Sequence, residues 1–219
     1  TVHIVRWTKC NTPYVPSELP NVNYYDRNTF ANVHSLLHKV REIKPDLIWV
    51  SGWIDKLYCR VVGLYRKEHD IPVVVGSDTQ WRGGKQWLNV FFSPFRHRRW
   101  FSHIFVSGIW QYEYARKLGF DTNHILMHNL SADVSTFMSV DINLKQYHYP
   151  HKLLFIGRFV DVKGLSFLLD AWKSIPDRKG WTLTLVGNGP LRDTLNGFPD
   201  VEIKDFMSQE QLATEMQNS

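Results

Sequence analysis

The sequence of 219 residues contains no apolar run of about 18 residues, so it predicts no membrane-spanning helix. Its first residues, TVHIVRWTKC, lack the charged-then-apolar layout of a secretory signal, and secretion is therefore not indicated. The two cysteines, Cys10 and Cys59, form neither a metal-binding pattern nor a convincing disulfide framework. This sparse cysteine content fits a reducing compartment, and we expect a cytoplasmic protein.

Several catalytic motifs are also missing from the sequence. No P-loop occurs, and the dinucleotide pattern G-x-G-x-x-G fails because GNGPLR ends in Arg192. No Ser-His-Asp or Cys-His arrangement predicts a nucleophile. His34 and His38 have the i, i+4 spacing of metal ligands, but no third ligand is spaced nearby. The sequence thus argues against a dinucleotide oxidoreductase and predicts no metal site.

What the chain does contain is positive charge and aromatic residues. Lysine and arginine number 26 against 21 acidic residues, for a net charge of +5, and there are nine Trp and thirteen Phe. A basic protein favours an anionic ligand, an anionic membrane surface or nucleic acid as its partner. Since no nucleic-acid recognition motif accompanies the charge, we do not expect nucleic acid to be the partner.

The most informative stretch is LLFIGRFVDVKG at residues 153–164. Its apolar start predicts a buried parallel strand, Gly157 ends the strand, and Gly164 opens a pattern of helical spacing. Arg158 and Lys163 lie on the connection between them. A strand tip, two cations and a helix N-terminus together predict an anion site. The alternative is that the two cations belong to a solvated loop.

A second stretch, LVGNGP at residues 185–190, repeats this strand–glycine–helix plan. Gly187 and Gly189 follow its predicted strand directly. Glycines at such a turn allow backbone to approach a ligand closely. Arg158 and Gly187 are therefore predicted to lie beyond the carboxyl ends of strands, where such sheets bind their ligands.

Strands and helices alternate along both halves of the chain, which predicts an α/β fold of two Rossmann-like, doubly wound parallel-sheet domains. Residues 1–140 form the first predicted domain, 141–151 a linker and 152–219 a second domain with only three strands. In that second domain we predict strands at 152–157, 181–186 and 201–206, and helices at 165–175, 190–196 and 208–217. The small second domain leads us to expect a piece of a longer protein.

Residues 91–101, FFSPFRHRRWF, combine aromatic and basic side chains. They could rest on an anionic bilayer, or bind a sugar acceptor together with Trp81, Trp87 or Trp100. They could equally form an amphipathic helix whose aromatic side chains pack in the core. The pattern leaves these three alternatives open.

The motif G-R-x-x-x-x-K-G at 157–164, followed by V-G-x-G-P at 186–190 and then VEIKDF, resembles the donor domain of the family 4 (group 1) glycosyltransferases. The preceding half, with PDLIWVSGW, IPVVVGSDTQW and IFVSGIWQYEYARKLGF, is similar to the acceptor domain of the bacterial branch that builds surface polysaccharides. This resemblance implies a GT-B fold, with an acceptor-side domain at 1–140 and an incomplete donor domain at 152–219.

The resemblance also implies roles for the residues of the donor side. Arg158 and Lys163 would hold the diphosphate of a nucleotide-sugar, and Gly157, Gly187 and Gly189 would let backbone approach the donor. Lys204 and Phe206 stand where the family contacts the nucleobase. The family requires no metal ion or other cofactor, and no D-x-D motif occurs here to hold one.

Two departures from the family pattern stand out. The glutamate pair E-x-x-x-x-x-x-x-E, which binds ribose and donor sugar, lies in a region beyond the end of this chain, so we expect an inactive or weakly active fragment. Many relatives carry a His after the strand that corresponds to IPVVV, and Asp78 is its natural substitute here as the catalytic contact. The alternative for Asp78 is a turn cap. Trp53, Trp81 and Arg82 are the predicted acceptor contacts.

The function that the resemblance implies is a retaining, metal-independent transfer of a hexose from a UDP- or GDP-sugar to a saccharide or lipid-linked acceptor. The pathway would be capsule, lipopolysaccharide or exopolysaccharide synthesis, with residues 91–101 resting on the membrane. The alternatives are a non-catalytic Rossmann-type module that binds a phosphorylated or anionic sugar, and a membrane-peripheral scaffold.

Overall fold

The computed structural model describes residues 1–8, 18–131 and 134–219, and Cys10 lies outside them. The chain divides into two compact units, Thr1–Ser131 and Ala132–Ser219. Among the described residues, the first unit contains two parallel sheets and the second unit contains one, and each unit has its own hydrophobic core.

Strands and helices alternate along both units. The strands are β1 (Val2–Arg6), β2 (Val22–Asp26), β3 (Ile48–Val50), β4 (Val73–Ser77), β5 (His103–Val106), β6 (Ile125–Met127), β7 (Lys152–Ile156), β8 (Thr182–Val186) and β9 (Val201–Lys204). The α-helices are α1 (Val33–Ile43), α2 (Lys56–Glu68), α3 (Gln86–Phe92), α4 (His97–Trp100), α5 (Ile109–Lys117), α6 (Val134–Phe137), α7 (Ile142–Tyr147), α8 (Leu165–Ser174) and α9 (Gln209–Gln217).

The first unit contains a four-stranded parallel sheet in the order β3-β4-β5-β6. The residues of β4, VVVGS, are all buried, as expected for a β-branched run covered on both faces. A separate parallel pair, β1 with β2, pairs Val2 with Val22 through to Arg6 with Asp26. Strand β2 thus lies in the segment NVNYYD.

Local signals explain where the helices of this unit begin and end. Asn32 and Ser35 form a reciprocal capping box at the start of α1, and Lys44 closes that helix in a left-handed conformation before Pro45. Asp55 caps α2 by accepting a hydrogen bond from the Leu57 amide at 2.8 Å. Gly119, with φ at 88°, follows α5 as its sequence predicts.

Two buried clusters form the core of the first unit. The larger one joins β3, β4, β5 and β6 to α2 and α5 through residues such as Val73, Ile104 and Tyr114. The other packs α1 on α2 through Leu36, Leu37, Val61 and Tyr65.

The second unit contains a three-stranded parallel sheet in the order β7-β8-β9. Its core packs Leu165, Leu169 and Trp172 of α8 against Leu183 and Leu185 of β8. The three predicted strands, the helix at α8 and the helix at α9 are present. Ser208 and Gln211 form a capping box at the start of α9.

Three segments differ from the sequence prediction in detail. Within the linker predicted at 141–151, Asp141 caps α7, and this helix belongs to the second unit, which begins at Ala132. The helix predicted at 190–196 is a 3-10 turn at Arg192–Leu195. Residues 91–101, for which an amphipathic helix was one of three alternatives, do not form a single helix: they extend from the end of α3 through a 3-10 turn at Ser93–Phe95 to α4.

The α/β class with parallel sheets and intervening helices is confirmed in both units.

Candidate functional site

The loop from β7 to α8 carries the two cations that the sequence singles out. Phe159, with no exposed surface, anchors this loop in the core of the second unit. Its neighbour Arg158 points outward and is exposed, as is Lys163 at the end of a 3-10 turn, Asp161–Lys163. Among the described residues, neither cation forms an ion pair or a side-chain hydrogen bond. Both are therefore available to an anion.

Helix α8 begins directly after this loop. Gly164 is its N-cap, with φ at 72°, and no side chain accepts a hydrogen bond from the amides of the first turn. Those amides are consequently left to solvent or to a ligand, and the helix dipole favours negative charge beside them. The Asp161 carbonyl accepts from the Gly164 amide at 2.9 Å and closes the turn.

The exit loops of β7 and β8 are joined by backbone hydrogen bonds. The Phe159 amide donates to the Asn188 carbonyl at 2.9 Å, and the Leu191 amide donates to the Phe159 carbonyl at 3.1 Å. A Cβ at Gly187 would overlap the Gly157 carbonyl oxygen, and one at Gly189 would come within 2.5 Å of the Phe159 carbonyl oxygen. These two glycines thus permit a close approach between two protein loops, a reason for glycine that the sequence did not reveal.

The predicted nucleobase residues differ in how they are engaged. The Lys204 ammonium donates to Glu215 at 2.5 Å and lies 3.4 Å from Glu202, and the bond to Glu215 raises the pKa of Lys204. This lysine is therefore occupied by protein carboxylates. Phe206 is 56% exposed and has a ring face open to a ligand.

In the first unit, Asp78 lies immediately after β4, at the carboxyl end of the parallel sheet. Its side chain is exposed and forms no hydrogen bond or ion pair with the described residues, so the turn-cap alternative has no support. The backbone carbonyl of Asp78 accepts a hydrogen bond from the side-chain Nε2 of Gln111 at 3.1 Å, which ties the Asp78 turn to the start of α5.

Trp53 and Trp81 are largely engaged in packing. Trp53 meets His97 edge to face at 4.9 Å, and Trp81 lies 5.7 Å from Tyr114 and 5.2 Å from Trp87. Both flank the main core of the first unit.

Arg82 is exposed, and its amide donates to the Gln86 side chain at 2.6 Å. Its guanidinium faces the Gln80 amide, whose oxygen accepts at 2.7 and 2.8 Å in the orientation that satisfies both groups. Arg82 thus has a local partner but remains accessible at the surface.

One further residue near Asp78 was missed by the sequence reasoning. Trp110, in the first turn of α5, is 64% exposed, and its carbonyl accepts from the Trp81 amide at 3.4 Å. It lies beside Gln111, which contacts Asp78. The signal available in the sequence was an aromatic residue two positions after the Ser-Gly turn at 107–108.

Residues 91–101 do not all pack in the core. Phe101, Ser93 and His97 are buried, whereas Phe91 and Phe95 are 72% and 70% exposed. The alternative of an amphipathic helix with its aromatic side chains in the core therefore holds only for the end of the segment.

No helix in the described residues combines the length and the apolar character needed to cross a membrane. The same residues contain no group of three His, Cys, Asp or Glu side chains positioned to hold a metal ion.

Comparison with known families bears directly on the second unit. Residues 150–219 match the family of group 1 glycosyl transferases. These residues include both strand tips and the two free cations of the β7–α8 loop. The family predicted from G-R-x-x-x-x-K-G and V-G-x-G-P is thereby confirmed for this part of the chain. A sequence search of curated proteins finds no match.

Two solved structures have a similar fold. Anabaena HepE in complex with UDP and glucose has a TM-score of 0.60 and 17% identity, with 87% of this chain and 57% of HepE aligned. Sucrose-phosphate synthase from Thermosynechococcus elongatus has a TM-score of 0.63 and 17% identity, with 100% of this chain and 63% of that enzyme aligned. These matches confirm the predicted GT-B-type fold class. The chain spans less than two thirds of each structure.

Proposed function

We propose that this chain is part of a glycosyltransferase that transfers a hexose from a nucleotide-sugar to a saccharide or lipid-linked acceptor. The observation that carries the proposal is the unpaired cation pair, Arg158 and Lys163, beside the uncapped start of α8. That loop lies in the residues that match the group 1 family. Residues 152–219 would bind the donor, and residues 1–140 the acceptor.

In the proposed reaction, Arg158 and Lys163 hold the diphosphate of the donor. As the bond between the sugar and the diphosphate breaks, negative charge builds on the departing group, and preplaced cations stabilise it. The first-turn amides of α8 add to this stabilisation. Loss of one such contact raises the barrier by about 3 kcal/mol.

The proposed donor is a UDP- or GDP-hexose. HepE is described in complexes with UDP and with UDP-glucose, which supports UDP as the first nucleotide to test. Phe206, with its open ring face, would stack on the base, whereas Lys204 would need to leave Glu215 to reach it. Gly157, Gly187 and Gly189 would keep the loop backbone close to the donor.

Asp78 is the proposed catalytic contact on the acceptor side, because it is an exposed carboxylate at a strand tip. Trp53 and Trp81 would shape the wall behind it, and Arg82 would contact an acceptor.

We infer a retaining reaction without a metal ion, as the family resemblance implies. Synthesis of a bacterial capsule, lipopolysaccharide or exopolysaccharide is the proposed pathway.

We also propose that residues 91–101 rest on the cytoplasmic face of an anionic membrane. The exposed rings of Phe91 and Phe95 together with Arg96, Arg98 and Arg99 suit such a surface. A lipid-linked acceptor would then be within reach of the first unit.

Calorimetric titration of the chain with UDP and with GDP tests the donor proposal. We expect one nucleotide to bind, and the double substitution Arg158→Ala/Lys163→Ala to weaken its binding by at least tenfold. The control substitution Lys145→Ala/Lys179→Ala removes two charges elsewhere in the second unit and should leave binding unchanged. If neither nucleotide binds, or both variants bind alike, the donor assignment is wrong.

A further inference from the structure

A cavity of about 270 Å³ lies between α2 and α4 in the first unit. The sequence did not predict this cavity, but two of its lining residues, Arg99 and Trp100, belong to residues 91–101, the segment proposed above to rest on the membrane. Gly63, Leu64 and Trp100 form an apolar wall, and three cationic side chains complete the lining.

The cations of this cavity are Arg60, Lys67 and Arg99. Arg60 and Lys67 are seven residues apart on α2, which places them on one face of the helix two turns apart. Arg99 comes from α4. Among the described residues, none of the three forms an ion pair or a side-chain hydrogen bond. Three cations that share one cavity without a carboxylate partner favour an anionic ligand.

The apolar wall depends on a glycine in the middle of α2. A Cβ at position 63 would lie 2.6 Å from Cδ1 of Trp100, so only glycine lets the indole rest directly on the helix. A glycine within a helix costs about 1 kcal/mol relative to alanine. The cavity thus combines an indole wall with cations, which suits a ligand that carries both apolar and anionic groups.

The segment before α4 also exposes apolar side chains. Helix α3 and the following 3-10 turn expose large apolar side chains: Trp87 is 58%, Leu88 62%, Phe91 72% and Phe95 70% exposed. In the sequence these side chains precede the exposed Arg96, Arg98 and Arg99. A segment that combines exposed apolar side chains with cations is typical of surfaces that enter the headgroup region of a bilayer.

We infer that this cavity is a phosphate site for the headgroup of an anionic phospholipid, with the exposed side chains of α3 in the adjoining acyl region. The inference rests on the membrane contact proposed above and is independent of the donor site. Its ligand chemistry is a phosphodiester attached to an apolar chain.

Partition of the protein onto vesicles tests the inference. Vesicles of phosphatidylcholine with one third phosphatidylglycerol are compared with pure phosphatidylcholine at physiological ionic strength. We expect Arg60→Gln/Lys67→Gln/Arg99→Gln to lower binding to the anionic vesicles by about a hundredfold. The matched control Lys44→Gln/Lys56→Gln/Lys179→Gln removes the same charge outside the cavity and should change binding by less than threefold.

Equal losses in these two triple variants would overturn the cavity site, because net charge alone would then explain binding. The variant Phe91→Ser/Phe95→Ser reports on the membrane contact separately, since it should weaken binding to both kinds of vesicle. If it has no effect, the membrane contact itself fails. UDP binding should be the same in all these variants, which keeps the donor proposal distinguishable.

A second measurement separates a lipid headgroup from free phosphate. The indole N–H signal of Trp100, assigned by its loss in Trp100→Phe, is followed by NMR. We expect dihexanoyl phosphatidylglycerol to shift this signal at concentrations where inorganic phosphate does not, and the cavity triple variant to abolish the shift. An equal response to inorganic phosphate would overturn the lipid as the source of the ligand.

Discussion

At Gly187 the backbone of the second unit leaves no room for a side chain. Its φ is 146°, and a Cβ would overlap the carbonyl oxygen of Gly157 on the neighbouring loop. We expect Gly187→Ala to lower the free energy of unfolding by about 3 to 5 kcal/mol, as the sum of backbone strain and overlap. Chemical denaturation followed by circular dichroism measures this change.

The matched control for this substitution is Gly180→Ala. Gly180 also has a positive φ, at 81°, but nothing lies within 4 Å of its notional Cβ. Strain alone should therefore cost about 1 to 2 kcal/mol there. Equal effects at the two glycines would show that the loop-to-loop approach at Gly187 is not restrictive.

His97 is a buried base whose charge state follows from its surroundings. It is 4% exposed, and its Nδ1 has no hydrogen-bond partner among the described residues. Burial, with a smaller effect of Arg96, lowers the pKa of His97 from 6.5 to about 4. As the pH falls, the unfolded chain therefore takes up this proton at a higher pH than the folded protein does. The free energy of unfolding is consequently highest above pH 6.5 and decreases as the pH falls towards 4.

Because of His97, we expect the free energy of unfolding to decrease by about 3 kcal/mol between pH 7 and pH 4. Comparing the pH dependence of unfolding in the wild type and in His97→Leu isolates this contribution from that of the carboxylates. The difference in stability between the two proteins should change by that amount over this range. Parallel pH curves would contradict a buried, neutral His97.

At the scale of the elements, Gly63 and Trp100 couple α2 to α4. In the wild type, Gly63→Ala stabilises the protein by about 1 kcal/mol through helix propensity. The same substitution forces the indole to move, which destabilises the protein by about 1 to 3 kcal/mol. In a Trp100→Leu background the conflict is removed, so the same substitution should stabilise the protein by about 1 kcal/mol. A double-mutant cycle should thus give a coupling above about 1 kcal/mol. No coupling would mean that the two residues do not touch.

The carboxylate of Glu215 links helix α9 to its sheet. Glu215 accepts hydrogen bonds from Lys204 of β9 and Lys152 of β7, and these bonds, that of Lys204 above all, lower its pKa. We expect Glu215→Gln to cost about 2 kcal/mol at neutral pH. A Glu pKa that is lowered by folding gives stability above about pH 4.5 that is lost in acid, so the cost should shrink there.

Glu210, on the same helix, supplies the control for that measurement. Its side chain is exposed, and no ion pair is recorded for it in the described part of the chain. Glu210→Gln should therefore change the free energy of unfolding by less than 1 kcal/mol. Equal costs at the two positions would remove Glu215 as the specific tie between helix and sheet.

The element prediction succeeded where the hydrophobic pattern was clear. Examples are the strands predicted at 152–157 and 181–186 and the helix predicted at 165–175. It failed where non-local backbone contacts decide, as at 190–196, where Leu191 donates to Phe159 across the loops and a 3-10 turn replaces the helix.

For the candidate site, Arg158 and Lys163 could be selected from their place between Gly157 and Gly164. The sequence could not show that Lys204 is bound by Glu215, or that Gly187 lies against Gly157. Both facts depend on which residues distant in sequence become neighbours in the fold. The role of Gly63 in the α2–α4 cavity could not be predicted either, because it depends on the contact between Gly63 and Trp100, which are distant in the sequence.

At the scale of the whole molecule, two α/β units are present, and the family match covers residues 150–219. The chain spans 57% of HepE and 63% of sucrose-phosphate synthase. We propose donor binding for the second unit and acceptor binding for the first unit.

The measurement that tests the central proposal most directly is a ³¹P NMR titration of UDP with the protein, with uridine binding followed in parallel by proton NMR. We predict that the β-phosphate signal shifts on binding, that Arg158→Ala/Lys163→Ala abolishes this shift, and that uridine binds the wild type and the variant equally. A β-phosphate shift that is the same in the wild type and the double variant would contradict the account.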